Sequence, residues 1–186
     1  MATVAEVATI EVVAYDERWP VWFGQLRERY EAALADVSYV SIEHVGSTSV
    51  PGLAAKPVID VDIVVDRDGV TAAIDALVAI GYESRGEMGI VDRWATRAPA
   101  DSIRTHTYVV VVGSLALRNH LAVRDALRND ERLRDEYGAL KLRVAAETDD
   151  LDVYVPAKSA ILHRILAAAG LSAAELAAIE ADNSNA

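Results

Sequence analysis

The run Val58-Ile59-Asp60-Val61-Asp62-Ile63-Val64-Val65 is strongly apolar and β-branched, yet it carries two aspartates. Val and Ile favour strands, whereas Asp is among the residues least favoured there. Residues two apart on a strand point to the same face, so the two carboxylates lie side by side. Val58 and Val64 share their parity, and that face is not otherwise polar. Like charges held so close either raise one pKa or recruit a cation. Two Asp on one face offer hard oxygen ligands suited to Mg²⁺ or Mn²⁺. The competing reading is a solvent-facing strand that happens to carry two acids.

Upstream, Tyr39-Val40-Ser41-Ile42-Glu43-His44-Val45 alternates as a strand does and runs into Gly46-Ser47-Thr48. A Gly lets backbone approach an anion closely, and successive free N–H groups form an anion-binding concavity. A Gly-Ser after a strand is more often a plain turn. Its weight comes from the twelve residues that separate Ser47 from Asp60, a spacing that lets the loop and the carboxylates end on adjacent strands. Lys56 supplies a cation in the same connection.

Around this centre the periodicity predicts a helix from Glu17, capped by Asp16, with Trp19, Trp22, Phe23, Leu26 and Tyr30 on its core face. A helix follows over 70–80, then strands over 82–85, 93–97 and 104–112. The second half reads as helices over 115–128, 131–147 and 151–169, and Ser172 with Glu175 forms a capping box for a short last helix. The fold class is α+β: a small mixed β-sheet with flanking helices and a C-terminal helical subdomain. The expected division is an α/β core over 1–113, a helical part of the same domain over 114–170, and a short helix with a disordered tail over 171–186.

The helical half aims cations inward. His120 and Arg124 lie on the apolar stripe of 115–128, Lys141 flanks that of 131–147, and Lys158 lies within that of 151–169. Each alone reads as an internal ion pair or a stem that snorkels to water. Three helices doing so together, opposite a carboxylate pair, match what a triphosphate needs: a bidentate Arg and point charges from Lys. His44 reads as packing beside the loop, His163 as surface and Trp94 as core.

The order apolar-Gly-Ser, loop, Asp-apolar-Asp-apolar resembles the nucleotidyltransferase superfamily. The stretch from Ile42 through Val45-Gly46-Ser47-Thr48-Ser49-Val50-Pro51-Gly52 to Asp60-Val61-Asp62 resembles the GrpB family more closely. That resemblance extends to Tyr15-Asp16 with Trp19-Pro20, to His120-Leu121-Ala122-Val123-Arg124-Asp125-Ala126-Leu127-Arg128, and to Lys141 and Lys158, so that it spans 10–169. It implies a nucleotidyltransferase-like fold in which Gly46 and Ser47 hold nucleotide phosphates and Asp60 and Asp62 hold Mg²⁺ or Mn²⁺. Lys56, Arg124, Lys141 and Lys158 would neutralise phosphate charge. The superfamily usually places a third carboxylate on a later strand. The strand here offers His106 and Tyr108 on one face instead, to position the nucleophile or complete the metal shell, with Glu43 as a spare acid. Family members also occur fused to dephospho-CoA kinase. The resemblance leaves open a nucleotidyltransferase, or a non-catalytic nucleotide- or phosphometabolite-binding module that assists a partner enzyme such as a dephospho-CoA kinase; a third reading is a degenerate scaffold whose exposed face binds a protein partner.

Composition narrows the partners. The chain has 186 residues, 29 acidic and 18 basic, for a formal charge of −11, and no cysteine. The charge argues against long nucleic acid, whose backbone needs a Lys/Arg excess, and against anionic membrane. The absence of thiols excludes disulfides, thiolate metal sites and a catalytic Cys. Residues 1–10 lack the basic start of a secretory signal, and the expected location is the cytoplasm.

Overall fold

In a computed structural model, which describes residues 10–184, five strands form one mixed sheet in the order β1-β2-β5-β4-β3. These are β1 (Ser41–Val45), β2 (Ile59–Val65), β3 (Glu83–Gly86), β4 (Arg93–Arg97) and β5 (Thr105–Val111). β2 lies between β1 and the central β5, antiparallel to β1 and parallel to β5, with Asp60 opposite His106 and Asp62 opposite Tyr108.

The period-two alternation of β2 sorts its residues onto two different surfaces. Ile59, Val61, Ile63 and Val65 are fully buried against α1 (Arg18–Ala33) and α2 (Val70–Ala79), where Trp19, Leu26, Tyr30, Ala73 and Leu77 complete the main core. Asp60, Asp62 and Val64 face the other way. Val64 and Val110 pack under Leu117 of α3 (Leu115–Asn129). The carboxylates therefore lie between the sheet and the helical half, and the reading of a solvent-facing strand is set aside: Asp62 is 0% exposed.

The helical half comprises α3, α4 (Glu131–Glu147), α5 (Leu151–Tyr154), α6 (Ser159–Ala168) and α7 (Ala173–Ser184). Ser114 and Asp130 cap α3 and α4 by accepting the N–H groups of Leu117 and Leu133. The loop after β1 is pinned to these helices: Val50 and Leu53 are buried among Leu127, Tyr137, Ile161 and Ile165, and Arg128 donates two hydrogen bonds to the Ser49 carbonyl.

Two expectations need correction. The helix expected over 151–169 is broken into α5, a 3₁₀ turn at Pro156–Lys158 and α6. Pro156 has no N–H to donate and disfavours helical backbone at the residue before it. The last helix runs to Ser184 rather than giving way to a disordered tail at 182. Its capping box is present: Ser172 N–H and Glu175 Oε2 lie 2.8 Å apart, and Glu175 N–H reaches Ser172 Oγ at 3.3 Å. The reading of the first nine residues falls outside the described residues, as do residues 185 and 186. Among the described residues no helix is long and apolar enough to cross a membrane.

Candidate functional site

Gly46 brings the loop against the carboxylates. Its backbone (φ 67°, ψ −174°) lies in a region essentially restricted to glycine. A Cβ there would stand 2.0 Å from Asp60 Oδ2, so any side chain would displace the acid. The loop then turns through Ser47–Ser49 in a 3₁₀ helix, and Ser47 Oγ accepts a 2.8 Å hydrogen bond from Lys141 Nζ of α4.

Each aspartate is met by an imidazole. His106 Nδ1 lies 2.9 Å from Asp60 Oδ1, with the His106 ring largely exposed. His120 Nδ1, from α3, lies 2.7 Å from Asp62 Oδ2. Burial works against charge on His120, but the Asp62 carboxylate and its hydrogen bond outweigh it and raise the pKa. Asp62 Oδ1 is buried with no partner. Tyr108 stands beside this pair on β5, and burial next to Asp60 pushes its pKa up to about 12, so it remains a phenol.

Lysines gather around Ser47, within reach of the Asp60 charge. Lys141 is 2% exposed. Burial, reinforced by Lys158, lowers its pKa to about 7. Burial, reinforced by Lys56, lowers that of Lys158 to about 8. Lys56 and Lys158 both sit over the Tyr154 ring, at 4.6 and 4.4 Å from its centre, and Lys141 lies 4.5 Å from that of Tyr137. Among the described residues none of the three lysines has a carboxylate within ion-pair distance.

The structure thus brings together Gly46, Ser47, Lys56, Asp60, Asp62, His106, Tyr108, Lys141 and Lys158, but not Arg124. The Arg124 guanidinium pairs with Glu43 Oε2 at 2.8 Å and reaches the His44 carbonyl at 3.3 Å. Glu43, the spare acid, is thereby engaged, and burial is outweighed by the Arg124 hydrogen bond in holding its pKa low. His44 stacks on Phe23 with ring centres 4.6 Å apart and bonds Thr48, as a packing residue should. His163 is exposed and Trp94 half-buried against the core. Sequence reasoning placed His120 on an inward stripe without a role. It overlooked Arg93 altogether, whose guanidinium lies 4.5 Å over the Tyr108 ring and whose position on a short strand carries no motif.

The GrpB protein family model matches residues 9–168. The chain belongs to the GrpB family. Relatives include the UPF0157 protein YqkA of Bacillus subtilis, 32% identical over 80% of this chain and 44% of the relative. The chain therefore spans less than half of that protein. The UPF0157 protein SCO7215 of Streptomyces coelicolor is 35% identical, with 89% and 92% of the two chains covered. The crystal structure of the conserved protein GrpB from Enterococcus faecalis is 31% identical, with a TM-score of 0.75 over 86% of this chain and 96% of that one. Two more distant likenesses concern the fold alone. GLD-2 in its complex with RNP-8 gives a TM-score of 0.53 at 14% identity, covering 81% of this chain and 60% of that one. Cid1 in complex with its short product ApU gives 0.50 at 14% identity, covering 70% and 42%. The GrpB fold is nucleotidyltransferase-like.

A divalent metal, which that fold implies, is compatible with the donors on β2. Among the described residues no three His, Asp or Glu side chains form a metal cluster. Mg²⁺, however, is commonly held by one or two carboxylates, with water and substrate phosphates completing its shell. The unpartnered Asp62 Oδ1 and the neighbouring Asp60 meet that requirement.

Proposed function

We propose that this GrpB protein binds a nucleoside triphosphate with Mg²⁺ and transfers its nucleotidyl group to an acceptor. The observation that carries the reading is the group of Lys56, Lys141 and Lys158. Burial lowers the pKa of all three, Lys158 adds to the effect on Lys141 and Lys56 to that on Lys158, and among the described residues none has a carboxylate within ion-pair distance, Asp60 acting on Lys141 and Lys158 only from further away. Such an arrangement is costly without an anion to satisfy it. Its position around Ser47 suits the phosphate chain of a nucleotide, with the loop N–H groups after Gly46 as further donors.

Asp60 and Asp62 would hold the metal, which when bound supplies the charge that stabilises the transferring phosphate and activates the incoming hydroxyl. His120 holds Asp62 in place, and Gly46 keeps the loop close to Asp60. His106 fixes the orientation of Asp60 from β5.

A specific observation supports a second reading, a binding module without transfer. The face of β5 next to the aspartates presents His106 and Tyr108 where the superfamily usually has a third acid. Titration of ATP, GTP, CTP and UTP, with and without Mg²⁺, tests both readings on wild type and on Asp60→Ala/Asp62→Ala. Metal-dependent binding lost in the double variant supports the site. Release of pyrophosphate distinguishes transfer from binding alone. No binding of any nucleotide overturns both readings.

A further inference from the structure

We propose that the GrpB chain holds a second ligand, a small organic anion with an apolar body, between α3, α6 and α7, with its carboxylate or phosphate on Arg93. Its binding does not depend on the nucleotide reading above.

The first observation is the state of Arg93. It projects from β4 on the same face of the sheet as Asp62, and its guanidinium carbon lies 4.5 Å from the centre of the Tyr108 ring. Its Nε is buried and without a hydrogen-bond partner. Among the described residues no carboxylate stands within ion-pair distance of it. The arginines of α3, the neighbouring helix, are by contrast engaged: Arg124 by Glu43, Arg128 by Ser49, and Arg118 by Glu175. A guanidinium whose Nε is buried without a partner, and whose other nitrogens make no hydrogen bond to the described residues, has donors to offer a planar anion.

The second observation is the space beside it. Arg93 borders a small cavity of about 50 Å³ whose walls include Asn119, His120 and Ile179. Those same three residues border a larger cavity of about 190 Å³, walled by Val123, Leu162, Leu166 and Leu176. The two spaces share these walls: the larger is mainly apolar, with Glu180 and His163 among its polar lining, and the smaller borders Arg93. Aliphatic cavities of about 150 Å³ accept a benzene-sized ligand, so a ring or a short alkyl chain fills the larger part. Its walls include Gly46, which packs against Asp60, and His120, which bonds Asp62, so an occupant lies near the carboxylates.

The third observation concerns α7. The family match ends at 168, and α7 begins at Ala173. Leu176 and Ile179, which close the cavity, thus come from a segment beyond the matched family core. Arg118 ties α3 to α7 through Glu175.

The test uses the full chain without nucleotide. Phenylacetate and phenyl phosphate are titrated against benzyl alcohol and benzylamine, following the Arg93 Nε–Hε signal and the Leu176 and Ile179 methyl signals by NMR. The expected result is saturable binding of one or both anions at least tenfold tighter than the alcohol or the amine. Whichever anion binds more tightly assigns carboxylate or phosphate. Arg93→Gln is expected to abolish the preference for anions, and Ile179→Trp, which fills the space, to weaken all probes. The proposal is overturned if no anion binds, if the alcohol binds as well, or if benzylamine is preferred, which would give the charge selection to Glu180 on the cavity wall. These outcomes are read on wild type, so they stand even if a variant fails to fold. Absence of nucleotide binding in the earlier titration leaves them unchanged.

Discussion

His120 Nδ1 lies 2.7 Å from Asp62 Oδ2, and the other oxygen of that carboxylate is buried without a partner. Asp62 therefore depends on one imidazole for its compensation inside the protein. Removing one member of a buried charged pair costs about 3–5 kcal/mol, because the other is left uncompensated. His120→Ala should show a loss of that size in denaturant melts, and His120→Asn, which keeps a donor, should recover part of it. The pKa of His120 is raised above 6.5 in the folded state. The pair's contribution is then complete below pH 6.5 and is lost as pH rises through the raised value.

Gly46→Ala tests the close approach of loop and acid. The substitution forces a side chain into a glycine-only backbone region, at a cost of roughly 1–3 kcal/mol, and puts a carbon 2.0 Å from Asp60 Oδ2. Asp60 must swing away. Nucleotide affinity should fall at least tenfold, a larger fraction of function than of stability. Isothermal titration alongside thermal melts separates the two effects.

How much of this arrangement could be read from the chain follows from what each feature depends on. The period-two placement of Asp60 and Asp62 is local and survives any register, so both their shared face and their candidacy as ligands were legible. The inward lysines were legible as violations of a helical stripe. The partner of Arg124 was not. It depends on how α3 crosses β1, a packing angle with no sequence signature, and the crossing puts the guanidinium beside Glu43. Arg93 was invisible for a related reason: its lack of partners is a property of the surroundings and not of its neighbours in sequence. The break at Pro156 was written in the chain and was overridden by the apolar stripe on either side.

The lysines predict a coupling between anion binding and protons. Lys141 and Lys158 have folded-state pKa values near 7 and 8 against an ordinary 10.5. Between those values the unfolded chain binds more protons than the folded one, so the stability of the free protein should rise as pH goes from about 7 towards 10.5. An anion reverses the shift by favouring the charged lysines. Binding of pyrophosphate at pH 8 should therefore take up protons and weaken as pH rises further. Calorimetry in buffers of different ionisation heat measures that uptake. Lys141→Met should reduce it and cut affinity about tenfold, with little or no loss of stability at pH 7, because a buried unpaired cation is removed.

At acid pH a different residue governs. Burial between Phe23 and the loop lowers the pKa of His44 to about 4. From 6.5 down to 4 the unfolded chain takes a proton that the folded chain refuses, so stability is full above 6.5 and is lost as pH falls through this window. The loss amounts to at most about 3 kcal/mol. His44→Gln should flatten the pH dependence of the denaturation midpoint between 4 and 6.5, whatever it does to stability at neutral pH.

Arg124 provides the sharpest separation between bracing and ligand binding. Its guanidinium spans Glu43 and the His44 carbonyl, tying α3 to the strand that leads into the Gly46 loop. A phosphate ligand, once removed, would lower nucleotide affinity directly and reduce its salt sensitivity. A brace, once removed, leaves Glu43 half-buried without its partner and loosens α3 against β1, with a stability loss of about 1–3 kcal/mol. Arg124→Ala alone should therefore destabilise. The double variant Arg124→Leu/Glu43→Leu, which removes both charges, should regain most of the stability. Nucleotide affinity in the double variant should stay within about threefold of wild type. A tenfold loss there, with stability restored, would return Arg124 to the phosphate site.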